Sequence, residues 1–192
     1  MDALKAYIQS YTPIPASDWQ QIQKAFSQEE IQKGSLILEA GQVCRHLYFL
    51  EKGFLRYFTW QDGDDITRFF TQAPYIFTAQ RSYNLEIPCL ESIQALEDSV
   101  VWKVTKAEAD QLLQLPSWST FIRKLIQEVQ FFTEQILDEL QNLGPEERYH
   151  HWVTEGHTYL EKVPLKYLAS YLGIAPQSLS RIRKRIMEAD RT

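Results

Sequence analysis

The sequence is short of most things that would announce an enzyme or a membrane protein. No run of its 192 residues approaches the ~20 consecutive apolar side chains that a membrane-crossing helix needs. The opening stretch, residues 1–11, lacks the basic-then-apolar layout of a secretory leader, so the chain reads as cytoplasmic. Its two cysteines, Cys44 and Cys89, form no Cys-x-x-Cys pair. That excludes a disulfide framework and a cysteine-rich zinc or iron–sulfur site. Residues 30–104 hold one histidine, His46, too few for the clustered His and carboxylate ligands of a cupin-type enzyme. No Gly-rich nucleotide loop and no Ser/His/Asp set is present. His150 and His151 are neighbours, which on a helix project about 100° apart and do not converge on one ion. With His157 they give no metal site, and the sequence assigns no catalytic residue and no cofactor.

Positive charge is also scarce overall, since the net charge is −5. Its distribution matters more. From Leu143 to the end, eight basic residues face six acidic ones, a balance of +2 that leaves −7 for residues 1–142. Four of the five residues 181–185 are basic. An acidic body with a basic tip suits a protein that touches nucleic acid through one element.

What is present falls into three parts. The hydrophobic fraction of 44% is enough for a buried core. Ser17 and Gln20 have capping-box spacing, predicting a short helix from there to about Phe26. From Glu30 to about Val104, short aromatic and β-branched runs alternate with turn signals. The runs are 36–38, 47–50, 54–58, 66–70, 93–96 and 100–104; Lys33-Gly34, Ala40-Gly41, Lys52-Gly53 and 61–64 separate them. Such spacing predicts a barrel or sandwich of antiparallel strands. Thr105 and Glu108 make a second capping box, for a helix ending near Pro116.

Residues 117–143 contain no Gly or Pro before Gly144-Pro145 stops the helix. Trp118, Ile122, Leu125, Val129, Phe132 and Ile136 fit heptad positions, with Glu139 breaking the seam. This helix packs either on its own domain or on a second copy. About 27 residues is long for a chain of this size, which favours the homodimer.

The most specific segment is Val163–Met187. Leu165, Leu168 and Leu172 form an apolar face, and Ala169 sits where crossing helices approach closely. Gly173 permits a left-handed turn, Ile174 plugs it, and Ala175-Pro176 opens a second helix with inner face Leu179, Ile182 and Ile186. That is helix-turn-helix grammar. The outer face carries Gln177, Ser178, Arg181, Lys184 and Arg185, spaced to project together. Arg181 suits guanine and Gln177 adenine, while Lys184 and Arg185 suit phosphates. Pro176 and Lys166 flank the same surface.

The order of strands, long helix and helix-turn-helix resembles the cyclic-AMP-receptor/fumarate-nitrate-reductase-regulator (Crp/Fnr) family over essentially the whole chain. The strongest local matches are Gly41–Gly53 and Leu172–Arg183. The resemblance implies an α+β chain: an N-terminal antiparallel β-roll of cupin-like jelly-roll type (1–116), a dimerisation helix (117–143) and a winged helix-turn-helix (144–192). It implies Gln177, Ser178 and Arg181 as base contacts and Lys184 as a phosphate contact. Any wing must come from 158–163 or be reduced. The implied partners are double-stranded DNA, a second copy, RNA polymerase and an unidentified small-molecule effector; no membrane is implied. Members that bind cyclic nucleotides carry a Phe-Gly-Glu-Leu-Ala cassette followed by Pro-Arg-Ser-Ala or Pro-Arg-Thr-Ala. Here 75–84 and 87–92 have no Gly, no Glu at the matching position and no Arg just before Ser92. Arg81 is the cation nearby, so an effector pocket would draw on Phe70, Phe77, Arg81 and Ser92, and the effector is not expected to be cyclic AMP. The four-cysteine pattern of oxygen sensors is absent, and His46 reads as a core or surface residue rather than a haem ligand.

Overall fold

A computed structural model describes residues 1–154 and 163–189. Two helices, α1 (Asp2–Gln9) and α2 (Ala16–Ala25), precede the strands. The strands are β1 (Ser27–Ile31), β2 (Leu36–Leu38), β3 (His46–Lys52), β4 (Phe54–Gln61), β5 (Asp64–Gln72), β6 (Tyr75–Phe77), β7 (Ser92–Ala95) and β8 (Ser99–Thr105), with α3 (Gln80–Leu85) between β6 and β7. Then follow α4 (Lys106–Leu112), α5 (Pro116–Asn142), α6 (Pro145–Thr154), α7 (Leu165–Leu172) and α8 (Pro176–Ala189). Of the segment assigned from sequence to a wing, 158–163, residues 158–162 lie outside the described residues.

Packing divides the chain into two compact units. The first comprises 1–57 with 70–130; the second comprises 58–69 with 131–192. The sequence borders at 116 and 143 follow helix ends, whereas the packing changes within α5 and within the β4–β5 hairpin.

The strands form two four-stranded sheets, ordered β1-β8-β3-β6 and β2-β7-β4-β5. β8 pairs antiparallel with both β1 and β3, and β3 also with β6. One cluster joins the two sheets: Tyr48, Leu50, Phe77 and Val101 meet Leu38, Leu55, Ile93 and Ala95. The alternate residues of the first sheet, Phe49, Ile76 and Val104, join a second cluster with the helices. β3 is therefore buried on both faces, which is why 47–50 is an unbroken apolar run instead of an alternating one.

The second cluster explains the helices. Leu4 and Ile8, one turn apart on α1, are fully buried in it, a pairing too brief to signal a helix by periodicity. Ile22 of α2 joins them. Ser17 is not the N-cap of α2. Pro15 takes that place with an extended backbone, and the Ser17 hydroxyl turns to Asp18. The second capping box forms as expected, with Thr105 Oγ1 accepting from Glu108 N–H and Glu108 accepting from Thr105 N–H.

The structure also corrects the heptad seam. Trp118 and Leu125 are buried inside the first unit, with Trp118 against Phe26 and Phe121, and Ile122 packs on the same cluster. These three face their own domain. Val129 and Ile136 are half-buried. Phe132 is exposed, edge-on to Phe69. The apolar residues left in water along α5 are Ile126, Phe131, Phe132, Leu137 and Leu140.

Truncating the largest buried side chain of this cluster, Trp118→Ala, should destabilise the chain by about 3–5 kcal/mol. In urea denaturation the loss should not change with protein concentration. A concentration-dependent loss would instead place Trp118 at an interface between copies.

Candidate nucleic-acid interface

In the second unit, α7 and α8 cross through a wholly apolar contact. Leu168, Ala169 and Leu172 of α7 and Leu179 and Ile182 of α8 are all buried, as is Val163 before them. Gly173 ends α7 in the left-handed region at φ 72°. Two bonds close that end: Gly173 N–H to Ser170 C=O at 3.1 Å and Ile174 N–H to Ala169 C=O at 3.0 Å. Three residues later Pro176 begins α8, where its missing N–H has no partner to lose.

Burying Leu179 and Ile182 turns the polar positions of α8 outward. Pro176, Gln177, Arg181, Lys184 and Arg185 are exposed, and Ser178 is half-buried. The basic residues have different commitments. Lys184 pairs loosely with Glu188 one turn on, at 3.8 Å. Arg185 forms a 2.7 Å ion pair with Glu146 of α6, which competes with a phosphate role. The Arg183 Nε–H donates to the Tyr149 hydroxyl at 3.1 Å, and its guanidinium stands over that ring. Lys166 is exposed on α7, with its ammonium 4.6 Å from the centre of the Tyr167 ring.

Three structural residues escaped the sequence reading. Arg148 of α6 donates to the Leu172 carbonyl at 3.0 Å, satisfying the end of α7 with a cation where the helix dipole favours one. Trp152 stacks on Tyr171, with ring centres 4.7 Å apart. Glu139, an apparent flaw in the heptad, accepts the Trp152 indole N–H at 3.4 Å and lies 3.5 Å from His151 Nε2. It faces α6 within the second unit. Only a glutamate or arginine at an unexpected periodic position could have hinted at these contacts. His150 and His151 line an open groove of about 400 Å³ beside Leu143 and Ile186. No group of three potential metal ligands occurs among the described residues.

The four candidate pocket residues are placed differently. Phe77 stacks on Tyr48 and Phe70 on Phe54, both buried. Ser92 is buried, and its hydroxyl accepts from Ala40 N–H at 3.0 Å. Arg81 is exposed on α3. The apolar cluster between the sheets includes thiols and phenols, among them Cys44, Cys89, Tyr48 and Tyr75, and Arg56 of β4 is fully buried as well. Burial pushes the Cys89 thiol and the Tyr48 phenol up, and raises Tyr75 to about 12. These groups are therefore neutral near pH 7.

Residues 28–115 match the family model of the cyclic nucleotide-binding domain. No curated protein matches the sequence. Among solved structures, a mutant of CooA from Carboxydothermus hydrogenoformans is similar, with TM-score 0.70 and 14% identity over 88% of this chain and 79% of the other. A protein from Eubacterium rectale ascribed to the crp/fnr family of transcriptional regulators gives TM-score 0.69 and 15% identity over 94% and 88% of the two chains. FixK2 from Bradyrhizobium japonicum gives TM-score 0.69 and 15% identity over 86% of each. Similarity at this level establishes a shared fold. Among the described residues no helix is long and apolar enough to cross a membrane.

Proposed function

We propose that this chain is a transcription regulator that binds double-stranded DNA as a homodimer, reading bases through α8. The observation carrying the proposal is the outward face of α8, where Gln177 and Arg181 stand exposed one turn apart over an anchored apolar face. A major groove admits one helix, and an exposed arginine there can bond a guanine edge in two places. Lys184 continues the face toward the phosphates. Pro176 and Ser178 complete the reading end, while Arg185 and Lys166 supply positive charge at its border. RNA polymerase is the further partner this role entails.

The dimer reading rests on a different face of α5 from the heptad seam. Ile126, Leu137 and Leu140, with Thr133 between, recur at helical spacing, and the three apolar ones are more than half exposed. A second copy would bury them at about 1.5–3 kcal/mol per large side chain.

For the roll, we propose an effector other than cyclic AMP. The supporting observation is that Arg81, the cation nearest the cassette position, is exposed, while the cluster between the sheets is lined by apolar side chains, thiols and phenols. A buried cyclic phosphate needs a cation or several donors at its charge, and the fully buried cation of β4, Arg56, stands on the strand face opposite Leu55 of that cluster. A roll that takes a different, uncharged small molecule remains compatible with the same interior.

Three measurements follow. Arg181→Ala should cost about 1–3 kcal/mol in fluorescence anisotropy on a selected palindrome and relax the preference at one base pair of each half-site. Lys184→Ala should weaken all sequences alike and flatten the salt slope by about one unit. Wild-type affinity and ranking in Arg181→Ala would remove α8 from base reading. Ile126→Glu with Leu137→Glu should give monomers by light scattering, whereas Trp118→Phe should not; an unchanged dimer mass in the double variant refutes the stripe as interface. Isothermal titration with cyclic AMP should show no micromolar binding, and such binding would overturn the effector proposal.

A further inference from the structure

β5 is an edge strand of its sheet, so one side of its backbone has no strand partner. Unpaired edge groups must find side chains, water or another chain. In the second unit the Ser170 side chain meets two of them. The Ser170 hydroxyl of α7 accepts from Thr67 N–H at 2.9 Å and donates to Asp65 C=O at 3.4 Å. Residues two apart on a strand present their backbone groups to the same edge, so one hydroxyl spans two adjacent sites of the ladder. Thr67 is itself buried at this junction. The end of β4 and the start of β5, residues 58–69, thus pack as part of the second unit, while the start of β4 and the end of β5 belong to the first.

We propose that Ser170 is a positioning residue, a latch that fixes the helix-turn-helix on the edge of the β4–β5 hairpin. Through it, a displacement of the hairpin re-aims α8. The latch leaves the reading face uncovered: Gln177, Arg181 and Lys184 are exposed while the Ser170 bonds are made. It therefore acts on the orientation of α8 and not on access to it. Orientation matters for a palindrome, because two recognition helices must meet half-sites about one helical turn apart. A helix pair held in place binds both without first giving up rotational freedom; a loosened pair loses that advantage. A single half-site makes no such demand.

This inference rests on the DNA-binding reading, and the experiment separates the two. Ser170→Ala removes the hydroxyl while favouring the helix, so unfolding of α7 cannot account for its effect. Hydrogen exchange is followed at the Thr67 amide in the whole protein, together with anisotropy on a palindrome and on an isolated half-site. Ser170→Ala should speed Thr67 exchange about tenfold, weaken palindrome binding by about five- to tenfold, and change half-site binding less than about twofold. Ser170→Thr, which keeps the hydroxyl, should restore both readouts. Unchanged Thr67 exchange would show that the latch does not form. Faster exchange with unchanged palindrome binding, or an equal loss on palindrome and half-site, would show that it does not position α8. Absence of any DNA binding by the wild-type protein would overturn the DNA-binding reading itself, leaving the exchange result to judge the latch.

Discussion

The apolar face of the first half of α5 decides how the rest of the molecule can be used. Trp118, Phe121 and Leu125 are withdrawn from water against Phe26, Phe49 and the helices α1 and α2. Each such side chain contributes roughly 1.5–3 kcal/mol when buried. That commitment leaves none of the three for a partner. It also explains why two N-terminal helices precede the sheets: Leu4, Ile8 and Ile22 supply the opposite wall of the cluster. Beyond Gln130 the same helix belongs to a different unit and meets a different environment. A single uninterrupted helix therefore serves two packing partners in succession, and three of its exposed apolar residues, Ile126, Leu137 and Leu140, lie on a third face.

This succession is why a heptad along α5 does not by itself assign a partner. Periodicity reports that a face is apolar; it does not report what covers it. Trp118 and Leu125 fit the repeat because they are core, and Glu139 broke it because it turns toward Trp152 and His151. The strands were easier to read where turn residues bounded them, as at Gly34, Gly41 and Gly53. β1 was missed because its sequence, Ser-Gln-Glu-Glu-Ile, leaves four of five residues exposed and offers only Ile31 to the core. β6 was too short to show a period. The turn of the α7–α8 pair was legible in detail because it demands particular residues: an alanine at a close crossing, a glycine with positive φ and a proline at a helix start. Backbone constraints of that kind are local, whereas Arg148 on Leu172 or Ser170 on β5 join residues 24 and 103 positions apart. No pattern within one element encodes them.

The basic run at 181–185 shows how a charge cluster divides once it is wound into a helix. Read as a string, four cations in five residues suggest one electrostatic patch. On α8, Arg183 is turned to Tyr149 and Arg185 to Glu146, so two of the four tie this helix to α6. Arg181 and Lys184 stand exposed with Gln177 and make neither of these contacts. The structural interpretation of the run therefore holds for Arg183 and Arg185, and the proposed DNA-reading role draws on Arg181 and Lys184. The exposed pair between Lys184 and Glu188 is weak in water and screened by salt, so it does not withhold Lys184 from a phosphate. The Arg185–Glu146 pair, also exposed, can exchange its carboxylate for a phosphate at modest cost. Such an exchange would loosen α8 from α6 on binding. Under the proposed function, anchoring and affinity at Arg185 are then alternatives, and base reading would rest with Arg181 and Gln177, which stand exposed on α8.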